Sequence, residues 1–518
     1  MEIFHPILTC AQSAELEAEL LGGNAEKSYA AILRAGKGAA RQTLAEFSAL
    51  MGESPKILLL GGSGHNAADG AIAALEICKN FPAAKVAAVF PPDSRLKENT
   101  LRALSELRAG VPDLRETAPE NAEVLREEFF DLIIDGVLGM SFVPPLRADT
   151  AKLISLANSI RARLKISIDV PSGASDNPRE GGEIFRADAT YSTGICKKLL
   201  FEPANREFAG RIRYVDIGFF DCAKTRTKFG NIENLALSPS ALSFLNNPRP
   251  ALSDKRTFGH VFILAGSETY PGAALLAVKS ALRAGAGLVS AFVPQTLAAA
   301  FAAAEPSAIW MGCPTDEFGA IALEALPQIR ARLNSATSFL AGPGLTKSPE
   351  TRALLSEVLK LAPNVPAVLD ADAIVPELLR ILSQRNAPAI VTPHEGEFLR
   401  IAPDASDESL KRACLEYKCV IALKSPATRI CDGVKIARQT RGCPALARGG
   451  SGDILSGICA SLAGGKHLNL SAFEAAALAS QWLGLSAERA AAELGETALA
   501  TSDIPRFMPA ALRGAQTM

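Results

Sequence analysis

Short runs of Val, Ile and Leu alternate along this chain with longer Ala-rich stretches of helical spacing. In the first half, the runs that predict strands are residues 56–60, 86–90, 132–135, 165–170 and 214–218. Apolar runs that are short, bounded by turn residues and separated by helices indicate parallel βαβ units. The pattern therefore predicts an α/β protein.

A second series of the same kind follows a segment, 220–256, that carries Thr, Asn, Ser and Pro and lacks buried-strand runs. Its predicted strands are residues 261–265, 288–293, 339–341, 367–369, 389–391 and 420–423, and the helices predicted in the whole chain include 69–79, 454–462 and 472–490. A chain of 518 residues exceeds what one hydrophobic core usually supports. We therefore expect two domains, 1–220 and 235–518, joined by a linker at 221–234.

Composition excludes several classes of function. The formal net charge is −1 and no basic stripe is present, so we expect no nucleic acid and no anionic membrane as a partner. The N-terminus has no signal pattern, and no apolar run is long enough to span a bilayer. Ten cysteines are scattered without a CxxC pair, which favours a reduced, cytoplasmic protein without structural zinc.

A glycine-rich segment, GGSGHNAADG at 61–70, directly follows the first predicted strand. Glycines at this place let the backbone approach a ligand phosphate, and a Walker loop is excluded because no Gly-Lys-Ser/Thr follows. Asn66 and Asp69 carry oxygens that suit a hard cation. Turn and capping roles explain the same two residues equally well.

Two further carboxylates, Asp135 and Asp169, stand at the ends of predicted strands. A single aspartate in such a place is more often a cap. Three acidic residues in one crevice, with Asp69 as the third, repel one another unless they share a cation or a proton. Together they favour a ligand site at the carboxyl edge of the sheet.

Three motifs, GxGxNxxDG at 62–70, DxxxG at 135–139 and DxPSG at 169–173, resemble in this order the NAD(P)H-hydrate epimerase domain, over residues 1–220. Members interconvert the R and S forms of hydrated nicotinamide cofactors, NAD(P)HX, in which water has added at C6 of the ring. The resemblance implies a Rossmann-like αβα sandwich in which Asp169 is the acid/base group. It also implies a potassium ion held by Asn66, Asp135 and Ser172. The residues implied to line the hydrate site are His65, Asn66, Ala67, Ala68, Asp69, Gly139, Met140, Ser141, Phe142, Val143, Pro144 and Pro145.

This chain departs from the family pattern in two loops. Asn66-Ala67-Ala68-Asp69 stands where the family usually has Asn-Gly-Gly-Asp, with His65 in place of a usual Asn. Gly139-Met140-Ser141 stands in place of Gly-Thr-Gly. The added side chains narrow the space for a ligand. An inactive binding or scaffold domain is therefore the alternative hypothesis for the first half.

The segment GGSGD at 449–453 precedes an apolar helical run in the second half. Small residues let backbone N–H groups converge on an anion, and the dipole of the following helix favours the same charge. A carboxylate beside that anion, Asp453, is unfavourable unless it takes a proton from a group that attacks a phosphate. The alternative is an ordinary helix start capped by Ser451 or Asp453.

Five further motifs of the second half are YPGA at 270–273, LRAGAGLV at 282–289, GPGL at 342–345, LDADA at 369–373 and TPHEGE at 392–397. Taken alone, His394 is more often a packed or capping residue. Lys424, taken alone, is most often a solvated residue at the end of a strand. With GGSGD at the end, the order of motifs resembles the ribokinase-like superfamily. Within it, residues 235–515 resemble ADP/ATP-dependent NAD(P)H-hydrate dehydratase.

The resemblance implies that Asp453 accepts the proton of the C6 hydroxyl as ADP phosphorylates it, after which phosphate leaves. The N–H groups of Gly450, Ser451 and Gly452 are implied to stabilise the transferred phosphoryl group. Implied hydrate contacts are Ala273, Gly344 and His394, and implied nucleotide contacts are Lys424, Ser425, Pro426, Ala427 and Thr428, where Lys424-Ser425 replaces the usual Lys-Gly. Mg²⁺ is the implied metal of this domain.

We therefore expect a bifunctional, homo-oligomeric repair enzyme that epimerises NAD(P)HX and dehydrates its S form with ADP. A small-molecule kinase of the same superfamily, with an inactive N-terminal domain, is the alternative. It would keep Asp453 and release a stable phosphate ester.

Overall fold

The computed structural model describes residues 3–177 and 182–514. These residues form two compact units, one of Phe4–Pro239 and one that runs from Ser240 towards the C-terminus. The segment 221–234, expected as a linker, carries a helix at Ala223–Phe229.

The N-terminal unit alternates strands and helices, as the apolar runs predict. Its strands are β1 (Phe4–Leu8), β2 (Lys56–Gly61), β3 (Lys85–Val89), β4 (Arg115–Thr117), β5 (Phe129–Gly136), β6 (Arg161–Ile168), β7 (Ala189–Thr193), β8 (Cys196–Lys197), β9 (Arg211–Val215) and β10 (Asn234–Leu237). Its helices are α1 (Cys10–Leu21), α2 (Ala25–Phe47), α3 (His65–Asn80), α4 (Glu98–Gly110), α5 (Ala148–Ser159), α6 (Pro203–Ala209) and α7 (Ala223–Phe229).

Seven of these strands form a sheet in the order β4-β3-β2-β5-β6-β7-β9, with parallel neighbours. From β2 the chain crosses outward to β3 and β4, then returns to β5 on the other side. Ligands bind at such a reversal point, beyond the carboxyl ends of the strands. The segment 61–70 follows β2 and the segment after Asp135 follows β5, so both lie at this point.

The C-terminal unit is built in the same way. Its strands are β11 (His260–Leu264), β12 (Leu288–Pro294), β13 (Ile309–Cys313), β14 (Ser338–Ala341), β15 (Ala367–Leu369), β16 (Ala389–Val391), β17 (Val420–Leu423), β18 (Arg429–Cys431) and β19 (Ile436–Arg438). Its helices are α8 (Pro271–Arg283), α9 (Gln295–Ala304), α10 (Leu326–Arg330), α11 (Pro349–Leu361), α12 (Pro376–Leu382), α13 (Glu395–Phe398), α14 (Asp407–Tyr417), α15 (Ser451–Gly464), α16 (Ala472–Leu494) and α17 (Ile504–Gly514).

The strands of this unit follow the order β13-β12-β11-β14-β15-β16-β17-β18-β19. They pair in parallel from β13 to β17, and β18 and β19 add an antiparallel edge. GPGL follows β14, LDADA follows β15, TPHEGE follows β16 and Lys424 follows β17. Because these four strands are parallel neighbours, their motifs meet at one edge. Both sheets confirm the predicted α/β class.

Several of the sequence predictions are wrong in detail. The strand predicted at 214–218 is β9, Arg211–Val215; it contains Arg213, which is buried because its guanidinium pairs with Glu46 at 2.5 Å. The segment 220–256, expected to lack buried strands, contains β10, which pairs antiparallel with β1.

Among the described residues, no helix has the length and apolar character needed to cross a bilayer.

Candidate functional sites

The carboxylate of Asp135, at the end of β5, is buried and lies at the centre of a hydrogen-bond network. Oδ1 accepts from the Ser172 hydroxyl at 2.5 Å, and Oδ2 accepts from the Ser167 hydroxyl at 2.6 Å and the Ser172 N–H at 2.9 Å. Burial raises the pKa of Asp135, while these hydrogen bonds act in the opposite direction.

Asn66 lies beside this network, near the start of α3. Its Nδ2 donates to the carbonyl oxygen of Leu138 at 2.7 Å, and the Ser172 hydroxyl lies 3.3 Å from the same oxygen. The Oδ1 atom of Asn66 is buried and has no hydrogen-bond partner among the described residues. The structure therefore brings Asn66, Asp135 and Ser172 together. The Oδ1 atom of Asn66 is left available as a ligand for a cation.

Asp169 follows β6 and holds a strained backbone with φ of 68°, a conformation that residues other than glycine rarely adopt. Its Oδ2 accepts from the N–H of Met140 at 2.9 Å. Its Oδ1 forms an ion pair with Lys197, at the end of β8. Lys197 was missed from the sequence, although it lies in the second of two short strands that follow the predicted Asp169 segment.

The residues proposed from the sequence as a hydrate pocket lie in different surroundings. Ala67 and Ala68 are fully buried, and their methyl groups pack in the hydrophobic core of the N-terminal unit. His65 is exposed at the start of α3. Met140 is half-buried, and Val143, in the surface segment between β5 and α5, is 79% exposed.

A carboxylate cluster occupies the edge of the C-terminal sheet. The ammonium of Lys424 lies 2.9 Å from Oδ1 of Asp370 and 3.7 Å from Oε2 of Glu397. Asp370 follows β15 and is 1% exposed. Burial would lower the pKa of Lys424, but the charges of Asp370 and Glu397 outweigh it and the pKa is raised. The motifs LDADA and TPHEGE predicted that acidic residues lie at this edge. The ion pairs that Asp370 and Glu397 of these motifs form with Lys424 were not predicted.

Asp453 lies in the first turn of α15 and is close to the same cluster. Burial, together with the charge of Asp370, raises the pKa of Asp453 to about 7. A value near the working pH suits a general base.

The start of α15 has no side-chain cap. Gly450 occupies the N-cap position with φ of 94° and no capping hydrogen bond, so the alternative of an ordinary cap by Ser451 or Asp453 is wrong. The hydroxyl of Ser451 donates to the carbonyl oxygen of Arg448 at 3.1 Å instead. A Cβ added to Gly452 would lie 3.0 Å from Nζ of Lys424. The helix start and the lysine therefore face the same space.

The three predicted hydrate contacts divide into two places. Gly344 and Ala273 are neighbours, because a Cβ on Gly344 would lie 2.9 Å from that of Ala273. They lie where the strand order reverses between β11 and β14. His394 is exposed and caps α13, since its Nδ1 accepts from the N–H of Glu397 at 3.2 Å.

Residues 425–428 form a turn between β17 and β18. The N–H of Ser425 donates to the Thr428 hydroxyl at 3.3 Å, and Ser425 and Pro426 are exposed. The turn is therefore accessible to a ligand, whereas the Lys424 side chain points into the carboxylate cluster.

Two family models match the chain. Residues 261–509 match a family described as NAD(P)H-hydrate dehydratase, and residues 29–199 match one described as YjeF-related protein N-terminus. The dehydratase model therefore matches the second half of the chain, where the dehydratase domain was predicted, and a different family model matches the first half.

Curated relatives match both units at once. A protein of Gloeobacter violaceus is 32% identical over 470 residues, which cover 88% of each chain. A protein of Moorella thermoacetica is 31% identical over 88% of this chain and 87% of its own. A protein of Pyrobaculum aerophilum is 30% identical over 92% and 93%. All three are named bifunctional NAD(P)H-hydrate repair enzyme, and the present chain belongs to that family.

Proposed function

We propose that this chain repairs hydrated nicotinamide nucleotides: its N-terminal unit epimerises NAD(P)HX, and its C-terminal unit dehydrates the S form with ADP as phosphoryl donor. The observation that carries the proposal is the meeting of Lys424, Asp370 and Asp453 with the uncapped start of α15 at one sheet edge. Family membership supplies the substrate class.

In the dehydratase reaction, Asp453 takes the proton of the C6 hydroxyl as the hydroxyl oxygen attacks the terminal phosphorus of ADP. The bond from that phosphorus to the bridging oxygen breaks, and AMP leaves. Hydroxide is a poor leaving group and phosphate a good one, so the C6–O bond then breaks with help from the lone pair of the ring nitrogen. N–H groups of Gly450, Ser451 and Gly452 stabilise the charge on the transferred phosphoryl group. Lys424 lies beside Gly452 and adds a fixed positive charge.

The hydrate and the nucleotide take different parts of this edge. Ala273 and Gly344 contact the hydrate where the strand order reverses, and His394 contacts it from the start of α13. The exposed turn at 425–428 holds the nucleotide through its N–H groups and hydroxyls.

The N-terminal residues fit a potassium ion. Asn66 offers a buried oxygen with no partner among the described residues, and Ser172 and Asp135 supply two more oxygens within the same network. Hard cations prefer such oxygen donors. A cation here would offset the cost of burying the Asp135 carboxylate, while Asp169 acts as the acid/base group.

In the described part of the chain, no three His, Cys, Asp or Glu side chains form a group that could hold Mg²⁺. The Lys424 ammonium already balances Asp370 and Glu397. Mg²⁺ is commonly held through substrate phosphates, and we propose that it enters with the nucleotide. A cytoplasmic location and a homo-oligomeric state stay predictions.

The decisive experiment uses the purified full chain with separated R and S hydrates. With the S hydrate and ADP, we expect the near-ultraviolet absorbance of reduced nicotinamide to return; ATP is run in parallel. Without nucleotide, we expect faster exchange between R and S than in a protein-free control. A stable phosphorylated product would instead support the small-molecule kinase, and no exchange above the control would support an inactive N-terminal scaffold.

A further inference from the structure

The ammonium of Lys197 is completely buried in the N-terminal unit, with 0% of the side chain exposed. Nζ donates to the carbonyl oxygen of Thr193 at 2.7 Å and forms the ion pair with Oδ1 of Asp169. Burial, the largest single effect, would lower the pKa of Lys197, but the charges of Asp169 and Glu17 and the hydrogen bond to Asp169 together outweigh it, and the pKa is raised. A buried ammonium without a nearby anion is strongly destabilising, so Lys197 and Asp169 stabilise each other as a buried ion pair.

The position of the Asp169 carboxylate is fixed from several sides. Met140 donates its N–H to Oδ2 at 2.9 Å, and the N–H of Asp169 donates to the carbonyl oxygen of Tyr191 at 2.8 Å. These contacts hold the residue at a φ of 68°. Strain of this kind persists only where the surroundings over-determine a conformation.

Asp69 belongs to the same pocket but lies in different surroundings. It is 9% exposed, and its Oδ1 is buried with no hydrogen-bond partner in the described ranges. Asn66 lies one turn earlier on the same face of α3. A Cβ on Gly139 would contact both Asn66 Cβ, at 3.3 Å, and Asp169 Oδ2, at 3.2 Å. Burial raises the pKa of Asp69 well above its usual range, and the charge of Asp169 adds to the effect.

Helix α1 supplies the remaining titratable groups around these carboxyls. Burial raises the pKa of Glu17 to about 7, and it also raises the pKa of the Cys10 thiol, which lies near Asp176 and Asp169. The side chains of Glu17 and Cys10 are neutral or negative, and among the described side chains Lys197 is the cation whose charge acts on both Asp69 and Asp169. A second ionised carboxylate at Asp69 is therefore unfavourable.

We propose that Lys197 gives the two carboxyls of this pocket opposite roles: it positions Asp169 as the ionised base and leaves Asp69 as the proton-bearing acid. The inference rests on the proposed epimerase function. Lys197 is a positioning residue, because it acts through Asp169. Asp69 and Asp169 are the catalytic pair, and two neighbouring carboxyls held in opposite protonation states are a recurrent acid/base device.

An acid and a base in one pocket suit replacement of the C6 hydroxyl from the opposite face. The C6–O bond breaks as the Asp69 proton moves to the departing oxygen, which leaves as water, and the ring nitrogen lone pair forms a C6=N bond. A second water then attacks the other face of C6. Its proton goes to Asp169 as the electron pair returns to nitrogen. Proton exchange with solvent restores both carboxyls, so nothing is oxidised or consumed.

The first test measures exchange between R and S hydrates without nucleotide, so that the dehydratase is silent. Asp69→Asn is expected to lower the exchange rate about 100-fold or more, the usual contribution of a proton-transferring group. Glu76→Gln, on the same helix, is the matched control and is expected to keep the wild-type rate. A wild-type rate in Asp69→Asn overturns the proposal.

The second test is the pH profile of Lys197→Met, with the exposed neighbour variant Lys198→Met as control. Without the ammonium, the acid limb of the rate profile is expected to move about one pH unit or more towards alkaline pH, with recovery at high pH. A lysine with a merely structural role would lower the rate equally at every pH. That result, or a profile that superimposes on the wild type, contradicts the assignment of Lys197.

A third measurement does not depend on activity or on the folding of the lysine variant. The infrared difference spectrum between wild type and Asp69→Asn at pH 7 is expected to show the C=O stretch of a neutral carboxylic acid. Its absence overturns the role of Asp69. If the wild type does not speed exchange at all, the proposed epimerase function fails, and the infrared band still reports the protonation of Asp69 separately.

Discussion

Gly452 faces the ammonium of Lys424 so closely that a methyl group on its Cα would lie 3.0 Å from Nζ and 3.5 Å from Oδ2 of Asp370. The strand end that carries Lys424 and the helix start that carries Gly452 are 28 residues apart in the sequence. Their approach places the lysine at the start of α15 as well as next to the turn at 425–428, so the proposed phosphoryl site includes the Lys424 ammonium.

Gly452→Ala is expected to abolish most dehydratase activity, because the added methyl occupies the space in which the transferred phosphoryl group must sit. Gly449→Ala is the matched control, since a Cβ there meets nothing within 4 Å. Rates with the S hydrate and ADP are compared for both. Equal rates in the two variants would show that the space beside Lys424 is not the phosphoryl site.

Lys424→Met is expected to lower the dehydratase rate and to move its acid limb towards alkaline pH. The Lys424 charge lowers the pKa of Asp453 against the effects of burial and Asp370, so its loss lets that pKa rise further. The exposed Lys466→Met variant serves as control. A lower rate with an unmoved acid limb would mean that Lys424 acts on the phosphate alone.

Asp453→Asn is expected to reduce dehydration about 100-fold or more, as for removal of a general base, without loss of folding. Because the raised pKa means that the folded state binds this proton more tightly than the unfolded state, ionisation above pH 7 costs stability. The uncharged variant should therefore have an equal or higher Tm at pH 8, measured by calorimetry. A large drop in Tm would point to a structural role.

The dehydratase rate of the wild type is expected to rise with pH through about 7 and then level off. The base works only when ionised, and burial raises the pKa of Asp453 to about 7. The measurement is kcat against pH with saturating S hydrate and ADP. A rate already constant from pH 5 upwards would exclude Asp453 as the group that titrates.

Replacement of potassium by choline is expected to lower the exchange of R and S hydrates while dehydration of the S hydrate continues. Asn66→Ala should reduce the potassium dependence, because it removes the buried oxygen that has no partner in the described part of the chain. The check is a potassium titration of both activities in the same preparation. Equal sensitivity of the two reactions would argue against a site confined to the N-terminal unit.

Three short strands made of uninterrupted apolar residues were predicted to the residue. The runs 367–369, 389–391 and 420–423 are the strands β15, β16 and β17, because a strand buried on both faces needs apolar side chains throughout. The prediction failed at β9, where Arg213 is buried only because Glu46, from α2, neutralises it. Such compensation comes from elsewhere in the fold.

The same limit applies to the candidate sites. Asp135, Asp169 and Asp453 stand at strand or helix ends, which the local pattern reveals. In the sequence, Lys197 is one of two adjacent lysines. Asp169, with which it forms the ion pair, lies 28 residues earlier. The two lysines can be distinguished only in the folded chain, which returns to the sheet edge of Asp169. There Lys197 is buried and Lys198 is exposed.

Each of the strands β14 to β17 delivers its motif through its own short turn at the common edge. Insertion or substitution in one turn therefore need not disturb the others, nor the helix start that carries Asp453. If the sites are as proposed, remodelling of the Gly344 turn alone would change the preferred hydroxyl-bearing substrate during evolution, and the residues that transfer the phosphoryl group would be inherited intact.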